Sequence, residues 1–257
     1  MGPMRSDGQA LPPRGDAAPL LPLPTLGASP RDGVDPRDGF PPLYRALRSL
    51  SAPLLRSLFR LTVTGAEALP ASGPLILAAN HHNYLDGVVL AVAVSRPIAF
   101  LVMPRVWHAS LLHPAFHRRI GSVAVNLERP DSGAIKRVLR LLEAGRAVGI
   151  FPEGPFSREG RLVGGQPGVA LLALRSGAPV VPAAIDGTFE AMRGRPWHLP
   201  RPHPLRVRFG APMTFATRRR AVGRAERAEV TRRVMSEIGR LLGPDGPKPP
   251  AARADAS

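Results

Sequence analysis

No cysteine occurs among the 257 residues of this chain, which excludes disulfides, zinc–thiolate sites and thiol nucleophiles. Aromatic residues make up only 5%, too few for a single-strand nucleic-acid binder built on stacking platforms. Lysine is nearly absent too: Lys136 and Lys248 are the only two, so the formal net charge of +16 comes almost wholly from arginine. No stretch offers the run of about 18 apolar residues that suggests a membrane span. The nearest, residues 87–103, is cut by Arg96 and Pro97. The N-terminus does not read as a secretory signal, because Pro22 and Pro24 break the run Leu20–Leu26 and Asp7 and Asp16 precede it. These absences predict a soluble or peripherally bound protein on the cytoplasmic side. A cation of this size adsorbs to anionic surfaces, whether nucleic acid or phospholipid. The arginines are spread along the chain without a recognition motif, so nucleic acid is not the expected partner.

Residues 1–38 are rich in Pro, Gly and Asp without a hydrophobic period and read as a disordered leader, as do residues 245–257 as a tail. Over residues 42–62, Leu47, Leu50, Leu54, Leu58 and Leu61 recur at helical spacing among Arg45, Arg48, Arg56 and Arg60, with Pro53 expected to kink or split the helix. Such a segment can lie in an anionic membrane interface or dock its leucines on the protein's own core. The pattern leaves both readings open.

From residue 63 to 243 apolar runs alternate with helical stretches. Strands are predicted at Leu75–Ala79, Ile98–Met103, Ser122–Val125, Ala147–Phe151, Val180–Ile185 and Leu205–Phe209. Helices are predicted at Gly87–Ser95, Val106–Arg119, Ser132–Glu143, Gly168–Ser176 and Arg220–Leu242. The alternation predicts a single α/β domain with a largely parallel central sheet flanked by helices, preceded by the amphipathic helical segment. In such sheets chemistry sits beyond the carboxyl ends of the strands.

Three polar motifs fall immediately after predicted strands: "NHHNYLD" at 80–86, "NLER" at 126–129 and "FPEGPFSREGRL" at 151–162. A strand-to-helix turn can fold Asp86 back onto His81, fixing one imidazole nitrogen as donor and leaving the other to take a proton from a hydroxyl. No G-x-S-x-G elbow accompanies the pair, so that hydroxyl would belong to a substrate. The same spacing also suits a helix-capping aspartate beside a histidine that satisfies backbone groups. Two adjacent histidines lack the further ligands of a metal site. In the third motif Gly154 permits close backbone approach, and Ser157, Arg158 and Arg161 can bind a phosphate, as can Arg129 after the second. Glu153 can equally pair with one of these arginines.

H-x4-D, then a strand ending in "VN" with an arginine nearby, then F-P-E-G, then V-P-x-x-I at 181–185 resembles, in order and spacing, the glycerolipid acyltransferase family, whose members include 1-acylglycerol-3-phosphate acyltransferases. The resemblance covers roughly residues 65–215. It places the family's first block on Asn80, His81 and Asp86, and its third on Phe151, Pro152, Glu153, Gly154 and Ser157. The chain departs from the pattern at Asn83, where serine is usual, at Pro155 and Phe156, where threonine and arginine are usual, and at Leu127, where the family has arginine. The arginine replaced by Phe156 is associated in the family with the acceptor's phosphate.

The resemblance implies acyl transfer from an acyl thioester to the free hydroxyl of a lysophospholipid, 1-acylglycerol-3-phosphate first among the candidates and other hydroxyl lipids as alternatives. A catalytically silent lipid-binding member is the other reading. His81 would be the base and Asp86 its orienting partner, with Asn80, Glu153, Gly154, Ser157, Arg129 and Arg158 at the substrate. No metal and no bound cofactor is expected, since acyl-CoA or acyl carrier protein serves as cosubstrate. The expected partners are an anionic membrane surface, the lysolipid acceptor and the acyl donor, at the cytoplasmic face of the cell membrane.

Overall fold

The structure is a computed structural model that describes residues 41–125, 132–157, 159–192, 198–217 and 222–243. The leader, the tail, Arg129 and Arg158 lie outside the described residues. Helix α1 (Pro42–Ser57) opens this part of the chain and is followed by strand β1 (Thr62–Thr64). The α/β succession then runs β2 (Leu75–Ala79), α2 (Leu85–Ala93), β3 (Ile98–Val102), α3 (Pro104–Trp107), α4 (His113–Arg119) and β4 (Val123–Ala124). It continues through α5 (Ser132–Glu143), β5 (Ala147–Ile150), α6 (Gly168–Ser176), β6 (Val180–Asp186), α7 (Thr188–Ala191), β7 (Arg206–Phe209) and α8 (Arg224–Leu242).

Among the described residues seven strands form one sheet in the order β1-β7-β6-β2-β5-β3-β4. All neighbours are parallel except β6 and β7. The central strand β2 is "LILAA", and its five residues are all fully buried. A continuous apolar run is what a parallel strand covered on both faces requires. Its side chains alternate between two cores. Ile76 and Ala78 pack with Val138, Leu172 and Val234 from α5, α6 and α8. Leu75, Leu77 and Ala79 pack with Leu55, Val89 and Leu90 from α1 and α2. Helix α8 accordingly spends its apolar stripe on the core, with Val230, Val234 and Ile238 buried.

Three local expectations are corrected. Pro53 does not split α1, which runs unbroken through it, with the Ser57 hydroxyl bonded to the Pro53 carbonyl at 2.7 Å. The predicted helix Val106–Arg119 is two helices. Pro114 has no N–H and a fixed φ, which suits the first turn of a new helix rather than the interior of an old one. Strand β1 was not predicted: "TVT" is too short to announce itself, and its partners Arg206–Arg208 lie far along the chain.

The docking of α1 is also settled. Tyr44 and Leu55 face inward, as does Phe59 beyond the helix, while Leu47, Leu50, Leu54 and Leu58 are exposed, Leu50 by 73%. These four leucines face away from the protein's own core, while Leu61, the last of the stripe, packs against it. No helix among the described residues is long and apolar enough to cross a membrane.

Candidate active site

The parallel register of β2 and β5 pairs Ala78 with Ile150. Three residues further along each strand stand His81 and Glu153, and the His81 N–H donates to Glu153 Oε1 at 2.7 Å. The two motifs thus meet because their strands are neighbours.

Asp86 sits in the first turn of α2, fully buried, and its side chain turns back on the segment that precedes the helix. Its Oδ2 accepts from His81 Nδ1 at 2.9 Å and from the backbone N–H groups of His82 at 2.6 Å and Asn83 at 2.8 Å. Burial alone would push its pKa up. The bond from His81, the charges of His81 and His82 and the Thr188 hydroxyl outweigh burial and hold the carboxyl below its ordinary value. An ionised carboxylate only accepts, so Nδ1 of His81 carries the hydrogen, and in the neutral ring Nε2 keeps its lone pair. Asp86 orients the histidine; it does not cap α2, whose N-cap is Tyr84 without a side-chain cap bond, and the backbone donors it satisfies belong to the turn before the helix. Asn83, in the family's serine position, holds the turn with Oδ1 on the Leu85 N–H at 3.0 Å.

The His81 ring lies flat on Phe151, with centroids 3.8 Å apart at 8°, and meets the edge of Phe156 at 4.5 Å. Phe156 in turn stands edge-on to Tyr84 at 4.8 Å. His81 is on the wall of a cavity of about 580 Å³ that is lined mainly by apolar side chains, among them Val88, Phe100, Val102 and Val106. Gly154 and Phe156 share that wall.

Glu153 is almost fully buried, and its second oxygen accepts the Val163 N–H at 2.8 Å. Desolvation pushes its pKa up to about 7 against its two backbone bonds, with the Asp86 charge adding to the rise. Gly154 closes the turn with φ +82°, where an L side chain is strained, and its N–H donates to the Phe151 carbonyl at 3.0 Å.

Ser157 ties the loop down. Its N–H donates to the His81 carbonyl at 2.9 Å and its hydroxyl to the Arg161 carbonyl at 2.6 Å. Of the residues expected at the substrate, Ser157 is buried in these bonds, and Asn80 is fully buried with its amide bonded to the backbone N–H and carbonyl of Ile185. Both hold the backbone that carries His81. Glu153 likewise spends both oxygens on backbone N–H groups. Gly154 does reach the cavity wall. Sequence reasoning missed the ring stack and the buried residues His82 and Thr188; their partners are distant in the chain, so no spacing announces them. Among the described residues no group of three or more metal-ligating side chains is found.

Residues 60–186 match the family model described as acyltransferase. Over these residues the chain is similar to the acyltransferase family. The chain is 28% identical over 161 residues to a chloroplastic 1-acyl-sn-glycerol-3-phosphate acyltransferase of Arabidopsis thaliana, covering 60% of this chain and 45% of that protein. It is 30% identical over 126 residues to a Bacillus subtilis protein of the same name, covering 49% and 62%. The matched segment thus spans about half the length of these relatives. The fold is that of the Thermotoga maritima 1-acyl-sn-glycerophosphate acyltransferase, with a TM-score of 0.61 and 19% identity over 78% of this chain and 80% of that one.

Proposed function

We propose that this protein moves a fatty acyl group from an acyl thioester to the free hydroxyl of 1-acylglycerol-3-phosphate, giving phosphatidic acid. The observation that carries this reading is the imidazole of His81, oriented by Asp86 at 2.9 Å, with Nε2 uncommitted among the described residues on the wall of an apolar cavity. A cavity of this kind suits a fatty chain, and the names of the relatives supply the acceptor.

In this mechanism Nε2 of His81 removes the proton of the acceptor hydroxyl as its oxygen attacks the thioester carbonyl carbon. Asp86 stabilises the imidazolium that forms. The tetrahedral intermediate collapses, the C–S bond breaks, and His81 returns the proton to the departing sulfur. The products are an ester and a thiol, so the step balances without a metal, a bound cofactor or an acyl-enzyme. The His81 ring makes no bond to a protein hydroxyl among the described residues, which suits an acceptor that supplies its own. Acyl-CoA and acyl carrier protein both fit as donors.

The lysolipid resides in a bilayer. The exposed leucines of α1, the exposed Leu111 and Leu112 ahead of α4, and the exposed Arg45, Arg56 and Arg60 suit an anionic membrane surface. Leu47 of α1 and Phe116 of α4 both line the cavity, so its mouth lies beside these surfaces. Peripheral attachment at the cytoplasmic face would put the site where both substrates meet.

A second reading, acylation of a lysolipid without a phosphomonoester, is favoured by Phe156, whose ring edges the base where the family carries arginine. The test is acyl transfer by purified protein on liposomes, with acyl-CoA or acyl carrier protein as donor. The acceptors are lysophosphatidic acid, glycerol 3-phosphate and several non-phosphate lysolipids. Acylation of lysophosphatidic acid that vanishes in His81→Ala supports the proposal. Acylation of a non-phosphate lipid alone replaces the acceptor. Silence with every donor and acceptor overturns the enzymatic reading.

A further inference from the structure

Behind the catalytic pair lies a buried chain of polar groups whose hydrogen-bond directions can be worked out one after another. It begins at β6. The Ile185 N–H donates to Asn80 Oδ1 at 2.7 Å, and Asn80 Nδ2 donates to the Ile185 carbonyl at 2.8 Å. Those two bonds fix which end of the amide is oxygen, since the flipped amide would set donor against donor. Asn80 Nδ2 also faces His82 Nε2 across a long 3.5 Å contact. An amide nitrogen only donates, so Nε2 of neutral His82 is the acceptor and Nδ1 carries the ring hydrogen. His82 Nδ1 lies 3.2 Å from Thr188 Oγ1. The hydroxyl therefore accepts from His82, and its own hydrogen is free to be given away. Asp86 Oδ1 is buried without a formed hydrogen bond among the described residues, and the Thr188 hydroxyl is one of the groups that favour the carboxylate's charged form.

Thr188 is itself held in place. It is fully buried, and its carbonyl accepts from Asn83 Nδ2 at 2.9 Å. The residue before it, Gly187, has φ +88°, and a Cβ there would strike the Pro204 carbonyl. Only glycine lets the chain leave β6 at this angle and bring the first residue of α7 under Asp86.

We propose that Thr188 is a positioning residue for the acyl-transfer base: it takes the Nδ1 hydrogen of His82 and turns its own hydrogen to Asp86 Oδ1, completing a relay from the β6 backbone to the catalytic carboxylate. Asp86 then has both oxygens held, and the imidazole it orients has one position. The proposal rests on the catalytic roles given to His81 and Asp86. The titratable groups facing Asp86 are His81, His82 and, from the loop after β5, Glu153.

The first test uses the unmodified chain. Long-range proton–nitrogen NMR of His82 should show the neutral ring protonated at Nδ1; protonation at Nε2 overturns the relay. The second compares Thr188→Val, which keeps the shape and removes the hydroxyl, with Thr188→Ser, which restores it. Thr188→Val should raise the carbon-NMR titration midpoint of the Asp86 carboxyl. It should also lower kcat about tenfold, the loss expected for a hydrogen bond to a charged group, with KM unchanged and the acid limb of the rate profile at higher pH. Thr188→Ser should return all three toward wild type. A folded Thr188→Val protein with wild-type Asp86 titration and wild-type kcat overturns the proposal. Should the wild-type chain transfer no acyl group, the proposed function falls, while the two NMR readings still decide the role of Thr188.

Discussion

The carboxylate of Glu153 accepts the backbone N–H of His81 at 2.7 Å, joining the ends of two neighbouring strands through a group that burial pushes up to a pKa of about 7. Protonation is therefore favoured in the folded state relative to the unfolded chain, where the value is the ordinary 4.5. Below about pH 4.5 both states hold the proton and there is no cost. Between about 4.5 and 7 the unfolded chain alone is ionised, so stability falls as pH rises through this window and is level above it. The whole effect is on the order of 3 kcal/mol. Urea unfolding across this range should show the fall in the wild type and lose it in Glu153→Gln. The variant also sets an amide donor against a backbone N–H, at a cost of roughly 1–3 kcal/mol. Equal pH slopes in the two proteins would refute the assignment.

The proposed catalytic pair, His81 and Asp86, gives a different signature. Asp86→Asn keeps the shape but replaces a carboxylate that accepts three bonds with an amide that has one acceptor oxygen. The His81 imidazolium loses its counter-charge, and kcat for acyl transfer should fall by about 10³-fold or more, by analogy with orienting aspartates elsewhere. His81→Ala should fall at least as far. Near-normal turnover in either variant, measured as acyl ester formed, would remove the base assignment.

Gly149 of β5 is a test of the ring stack from behind. A Cβ there would stand 2.8 Å from both Ile98 Cγ2 and Phe100 Cδ1. Phe100 stacks with Phe151 at 6.2 Å, and Phe151 carries the His81 ring. Gly149→Ala is expected to cost about 1–3 kcal/mol through overpacking and to lower kcat in the protein that remains folded. Calorimetry with a transfer assay separates the two effects; unaltered stability and rate would mean that the stack is not under this constraint.

The outer leucines of α1 make no core contact to lose. Leu50→Glu with Leu54→Glu should change folding stability by no more than about 0.5 kcal/mol per site. The same pair should weaken sedimentation with vesicles of anionic phospholipid at least tenfold, since burying each leucine in a bilayer contributes roughly 1.5–3 kcal/mol. Undiminished vesicle binding would assign these leucines another role.

Much of this architecture was written locally. The short apolar run "LILAA" reads as a strand covered on both faces, and residues 132–143 and 168–176 carry helical periods that the structure reproduces without a shift. The H-x4-D turn was legible as well, because five residues are enough for Asp86 to fold back within one strand-to-helix bend. What no local pattern holds is the order of strands in the sheet. That order sets β2 between β5 and β6 and so delivers Glu153 to His81 from one side and Thr188 to His82 from the other. It also decided which face of α1 turned inward: helical spacing shows that the leucines share a side, but only the shape of the core could select Tyr44, Leu55 and Phe59 instead. The sequence alone determined most of the elements and the pairing of His81 with Asp86, because those depend on neighbours a few residues away. The surroundings that hold the pair depend on contacts between residues 72 to 106 apart, and only the tertiary packing could choose them.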